Sequence, residues 1–185
     1  MSAENNEAKV ASLAIASTTI LVSVVLSVMD ISPCAYGIGG GMPWWHMLSY
    51  HMFHANILHA VLNSYCLLSI VFLMGENLRH IILSYIIAST YPVSVIHYLS
   101  GIDAVTVGMS GMCFAMLGIA SWRSTAKMRY HLWIFGFISL GVAIPWVMSA
   151  LMGKDVAHLD NPLHIYTYAI GVLTGYIERC IGKRA

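Results

Sequence analysis

Charge is what this chain has least of. Only nine of its 185 residues are Lys or Arg and eight are Asp or Glu, 9% together, against 58% hydrophobic and a mean hydropathy of +0.74. A water-soluble domain of this size does not tolerate that balance, so a polytopic membrane protein in contact with membrane lipid is expected. The formal charge of +1 and the lack of any long basic run argue against a nucleic-acid partner. Cysteine is sparse and scattered. Cys34, Cys66, Cys113 and Cys180 fall in different segments with no CxxC pair, which suggests neither a zinc ribbon nor a disulfide framework. No HExxH exists for metalloprotease chemistry, and the apolar segments lack the two aspartates that an aspartyl intramembrane protease needs. The first apolar segment is too long, and too poor in a small-residue cleavage site, to be a removable signal peptide. No repeat or low-complexity tract interrupts the chain.

What is present is one apolar run after another. A polar tail over 1–9 precedes candidate spans at 10–29, 53–74, 79–99, 107–122, 131–152 and 162–177. The expectation is an all-α, six-transmembrane-helix bundle in a single domain over 1–185. Pro92 and Pro145 read as kinks in the third and fifth spans. The long connection, 30–52, holds Pro33, the glycines of 37–41 and Pro43-Trp44-Trp45-His46, turns and interfacial aromatics that suit a structured loop at the membrane boundary. With a cytoplasmic N-terminus, Lys9, Arg79, Arg123, Lys127, Arg129, Arg179, Lys183 and Arg184 all lie inside and only Lys154 outside. Both termini are then cytoplasmic, and spans two, four and six run inward from the outer face.

Depth can be counted along those inward-running spans, because a helix rises about 1.5 Å per residue. Ser110 precedes Arg123 by 13 residues, His164 precedes Glu178 by 14 and Asn63 precedes Glu76 by 13, so all three sit at one level. That level is roughly 20 Å above the inner surface, deep enough in a core of about 30 Å to need a water-filled recess. His59 lies one turn above Asn63 on the same face. Unpaired polar groups in lipid are penalised by several kcal/mol, so a common level implies that these groups serve each other.

The chemistry they suit is acyl transfer. Gly108 and Gly111 flank Ser110 and let the backbone turn tightly, which presents a hydroxyl at a helix start. Ser110 would be the nucleophile and His164 the general base that returns the proton to the leaving amine. His59, Asn63 and the Ser110 backbone N–H could donate to the oxyanion. No Asp or Glu lies at this depth in spans two, four or six, so the pair would be a dyad. Phe114, one turn below Ser110, could stack on the imidazole. Asn161-Pro162 reads as a cap with proline at the first helical position, placing His164 in the first turn, where the dipole favours neutral imidazole. Gly171 lies two turns below His164, and Gly171-xxx-Gly175 offers a groove for close packing against the glycines of the fourth span.

Blander readings stand beside these. Gly108, Ser110, Gly111, Ala115 and Gly118 also suit a small-residue face for helix packing. His51, His80, His97, His131 and His158 read as packing or interfacial residues, and His54 is open between that and a structural hydrogen bond near the recess. A redox carrier binding haem between His54 or His59 and His97 or His164 would use the same residue types, although nothing in the spacing demands it.

At three separated motifs the sequence resembles the rhomboid family of intramembrane serine proteases: His54-xxxx-His59-xxx-Asn63, Gly108-Met109-Ser110-Gly111, and His164 with Gly171 seven residues on. Their order, spacing and sidedness agree with the family. The resemblance implies a rhomboid-like bundle with a Ser110–His164 dyad and an oxyanion hole at His59 and Asn63. It implies cleavage of single-span membrane proteins near the outer boundary without metal or cofactor, and a mobile gate at the fifth span and the following loop. Trp45 matches the family's loop motif. His46 replaces its usual arginine, which bears on how that loop is anchored. Thr167 stands where glycine is common, implying a slightly looser helix contact, and Phe114 replaces a frequent tyrosine. A non-catalytic rhomboid-like protein that binds transmembrane clients is the alternative, but such proteins lose the serine or the histidine. The short chain without an appended soluble domain points to a prokaryotic plasma membrane.

Overall fold

Long Val, Ile, Leu and Ala runs build the first helix, α1 (Ala3–Val28), which closes just before Asp30, at a φ of 54°. The structure, a computed structural model, describes residues 3–39, 41–95, 105–125, 128–133 and 161–182. Two short turns, Pro33–Tyr36 and His46–Ser49, and a 3-10 turn at Tyr50–Met52 shape the long connection. Next come α2 (Ile57–Met74), α3 (Leu78–Ser89), α4 (Ser110–Arg123) and α5 (Asn161–Gly182). Two stretches, Asn6–Val28 and Ile57–Met74, are long and apolar enough to cross a bilayer, with mean hydropathies of 2.1 and 2.0.

Local chemistry moves several boundaries from the sequence expectation. α2 starts at Ile57 and not at Phe53, because the Asn56 side chain caps it by accepting from the His59 N–H at 2.8 Å. α3 stops at Ser89, ten residues short of the expected end. There the Thr90 hydroxyl donates to the Ile87 carbonyl at 2.8 Å, and Tyr91 is pushed toward extended backbone by the proline after it. Pro92 therefore lies beyond the end of a helix instead of kinking one. α4 begins at Ser110 itself and not at Val107. The fifth expected span lies outside the described residues apart from 131–133, as do Pro145, Lys154, His97 and His158.

α4 is the hub. All of its residues from Ser110 to Ser121 are buried, with α5 laid along it and α3 and α2 on its other sides. α5 can come this close because it has no Cβ at two points. One added at Gly171 would collide with the Ala115 backbone carbonyl, and one at Gly175 would lie 2.6 Å from the Ile119 oxygen. Gly118 returns the favour from α4, where a Cβ would stand 2.6 Å from the Tyr168 oxygen. The glycine groove expected in α5 is thus filled by α4. α1 packs on α2, where Ser64 donates to the Ala16 carbonyl at 3.5 Å.

Where α2 meets α3, and at the far ends of α4 and α5 from Ser110 and His164, a charged knot ties the bundle. Glu76, 1% exposed, pairs with His80 and with Arg123 at 3.1 Å, while His80 Nε2 lies 3.2 Å from Glu178 and Arg79 lies 2.9 Å from it. His80, expected as a packing residue, is the bridge of this knot. Removing one partner of a buried pair leaves the others uncompensated. Glu76→Ala is therefore expected to lower stability by about 3 kcal/mol, read as a fall in Tm in detergent. An unchanged Tm would show that the knot is ornamental.

Candidate active site

The segment before α4 is pinned from three directions. Ile38 and Thr106 exchange backbone hydrogen bonds at 2.9 and 2.8 Å, and the Gly108 N–H donates to the Tyr50 carbonyl at 3.1 Å. The Met109 N–H donates to His54 Nε2 at 3.2 Å. Gly108 has a φ of 118°, which a residue with a Cβ seldom adopts, and it is the turn that lets α4 open on Ser110. Tyr50 is held in turn through its hydroxyl, which donates to the Ala88 carbonyl at 3.0 Å. The outer connection is anchored too: His46 Nδ1 donates to the Gly37 carbonyl at 2.8 Å. Nearby, burial pushes the His51 pKa down to about 3, so it stays neutral where its Nε2 meets the Ser89 hydroxyl at 3.0 Å.

His164 is the fourth residue of α5, 4% exposed, and its Nε2 lies 2.7 Å from the Ser110 Oγ. The Ser110 hydroxyl donates to that nitrogen when the ring is neutral. The Phe114 ring lies 4.7 Å from the imidazole, centroid to centroid, at 31°, and fixes its plane. No carboxylate is among the partners, and His164 Nδ1 finds no hydrogen bond among the described residues. Thr167 turns its hydroxyl back onto its own helix. It is fully buried, and its hydroxyl donates back to the Leu163 carbonyl at 2.8 Å. Gly111 packs with ordinary clearance against Ala88 and Leu163, where a Cβ would find atoms at 3.4 Å.

His59 and Asn63 come to the same place from α2. A Cβ on Gly108 would stand 3.1 Å from His59 Cε1 and 3.3 Å from Asn63 Nδ2, so both line the turn that precedes the serine. The Asn63 Nδ2 is buried and has no hydrogen-bond partner among the described residues. Ser110, His164, Phe114, Gly108, His59 and Asn63 therefore form one cluster, with Gly171 behind it as the contact that brings α5 to α4. Sequence reasoning left the place of His54 open. Its ring lies 5.0 Å from that of His59 and its Nε2 holds the Met109 amide. The spacing of His54 from His59 was the available signal, but which amide it would meet depended on the fold.

A hydroxyl in a 2.7 Å hydrogen bond to an imidazole, beside a buried and unsatisfied amide donor, is an arrangement for activating an oxygen nucleophile. The family profile described as Rhomboid domain matches residues 42–180, most of the chain and all of this cluster. The chain belongs to the rhomboid family. No curated protein matches it at a significant level. As a rhomboid it is a membrane-embedded protein, which accords with the two long apolar helices. Of its departures from the family pattern, His46 keeps an anchoring bond and Phe114 keeps the ring against the histidine.

Proposed function

We propose that this rhomboid is an intramembrane serine endopeptidase, cutting peptide bonds in or near the transmembrane segments of single-span membrane proteins. Ser110 Oγ attacks the scissile carbonyl carbon while His164 Nε2 takes its proton. The carbonyl oxygen becomes an oxyanion that accepts from Asn63 Nδ2, His59 and the Ser110 N–H. The C–N bond then breaks, His164 gives its proton to the leaving amine, and an acyl ester remains on Ser110. A water loses its proton to His164, attacks that ester, and frees the new carboxyl end together with the serine. No metal or cofactor enters any step.

The observation that carries this reading is the buried 2.7 Å bond from Ser110 Oγ to His164 Nε2. The unpaired Asn63 amide supports it, since a buried donor without an acceptor is costly unless a reaction supplies one. The proposal places six spans in a prokaryotic cell membrane, with both termini cytoplasmic, the site opening to the outer face, and the fifth span with the loop after it as gate. The test is reaction with a fluorophosphonate: Ser110 is labelled, and His164→Ala loses the label. Equal labelling of that variant, or none of the parent, would favour a protein that binds transmembrane clients without cutting them.

His54 is a positioning residue in this scheme. His54→Phe leaves the Met109 N–H without its acceptor, a loss of about 1–3 kcal/mol, so kcat should fall roughly tenfold or more with KM little changed. A change confined to KM would refute that role.

A further inference from the structure

At the end of α4 away from Ser110, two guanidiniums share one indole. Trp122 lies about 18 Å along the helix from Ser110. The Arg129 guanidinium stands 4.5 Å from the centroid of its ring and the Arg179 guanidinium 5.9 Å from it. Arg129 comes from the helical stretch 128–133 and Arg179 from the last turn of α5, so three helical segments meet at this ring. Both heads are held by carbonyls at the α4 C-terminus, where a helix leaves its acceptors unmatched. Arg129 Nε donates to the Ser121 carbonyl at 3.2 Å and its Nη2 to that of Ser124 at 3.3 Å, while Arg179 Nη1 donates to that of Trp122 at 3.3 Å. A guanidinium has five N–H donors, so most of those on the two arginines are left over once these bonds are made. The neighbouring cations differ. Arg123 pairs with Glu76 at 3.1 Å and Arg79 with Glu178 at 2.9 Å, whereas neither Arg129 nor Arg179 has a carboxylate partner among the described residues. Trp133 and Tyr176 pack on the Trp122 ring at 5.5 and 5.1 Å and are both exposed, aromatic rings of the kind that sit at headgroup level.

We propose that Arg129 and Arg179, on either helix beside Trp122, form a binding site for the phosphodiester headgroup of an anionic phospholipid. Satisfying three carbonyls does not require two fixed charges at one ring, and an unmatched pair at the edge of a bilayer is costly unless an anion joins it. Phosphate oxygens accept from the spare N–H donors of both guanidiniums, whose planar forks match that geometry. The exposed rings of Trp133 and Tyr176 cover the glycerol and the first acyl methylenes. A zwitterionic lipid presents the same phosphate but brings its own cation toward two others, so the site selects net negative charge. Inorganic phosphate presents the same oxygens but lacks the chains that the rings cover.

The inference uses the membrane placement of a rhomboid and none of the proposed hydrolysis, so a failed cleavage assay leaves it standing. The unaltered protein is placed in phosphatidylcholine vesicles with or without phosphatidylglycerol and treated with phenylglyoxal, which modifies arginine, and the modified peptides are measured by mass spectrometry. Phosphatidylglycerol should slow modification of Arg129 and Arg179 at least about fivefold. Arg79, whose side chain is 71% exposed, reports any general effect of the charged surface and should change little. In detergent, native mass spectrometry should show one phosphatidylglycerol held at least about fivefold more tightly than phosphatidylcholine. Arg179→Gln, which gives up a single carbonyl bond, should lose that preference, and Arg79→Gln should keep it. Equal protection of all three arginines, or an unchanged preference in Arg179→Gln, overturns the proposal. Protection of Arg129 and Arg179 by inorganic phosphate alone overturns it too, in favour of a free-anion site. Should Arg179→Gln fail to fold, the footprint on the unaltered protein decides.

Discussion

Ser110→Ala should abolish cleavage of a single-span substrate in proteoliposomes while the protein still folds and inserts. The substitution deletes one oxygen from an 8% exposed position and leaves the carbon framework of α4 intact. His164 loses a neutral hydrogen bond, a change of about 1 kcal/mol in stability. Turnover loses its nucleophile altogether, so a fall of at least about 10⁴-fold is expected, down to whatever rate positioned water sustains. His164→Ala should lie at a similar floor, and the double variant should be no worse than either, because residues that act as a unit lose activity once. Turnover by Ser110→Ala equal to that of the parent would end the assignment of this hydroxyl as nucleophile.

Gly171→Val tests whether the helix contact sets the dyad. A Cβ there would meet the oxygen, carbon and Cα of Ala115, all backbone atoms that cannot rotate away. α5 has to move outward, and His164 rides on the same face two turns above. Overpacking of this kind lowers stability by about 1–3 kcal/mol. The 2.7 Å bond to Ser110 is longer by whatever distance the helix shifts. A loss of roughly a hundredfold in kcat/KM is therefore expected beside a lower Tm. Full activity at a reduced Tm would show that the dyad is held by something other than this contact, with Phe114 the first candidate.

The meeting of Ser110 and His164 was legible in the sequence because distance along a helix is linear in residue number. Ser110 and His164 announce their common level by their distance from Arg123 and Glu178. Phe114 and Gly171 followed from the same arithmetic, taken around the helix instead of along it. Legibility failed where a partner comes from a bend. Thr90 and Pro92 end α3 early through a local hydroxyl bond that periodicity does not register. The acceptor role of His54 depends on where the 105–109 segment passes, and the Ile38–Thr106 bridge holds that segment in place. His80 looked like one more packing histidine because Glu178, its second carboxylate, lies 98 positions away.

The envelopment of α4 also governs how the molecule is born. A nascent chain delivers α1, α2 and α3 to the bilayer before α4, and α5 only afterwards. Until that last helix arrives, the flank of α4 bearing Ala115 and Gly118 has no cover, and the serine has no imidazole beside it. On the proposed protease reading, the hydroxyl thus stays without its base throughout translation and acquires it only when the bundle closes.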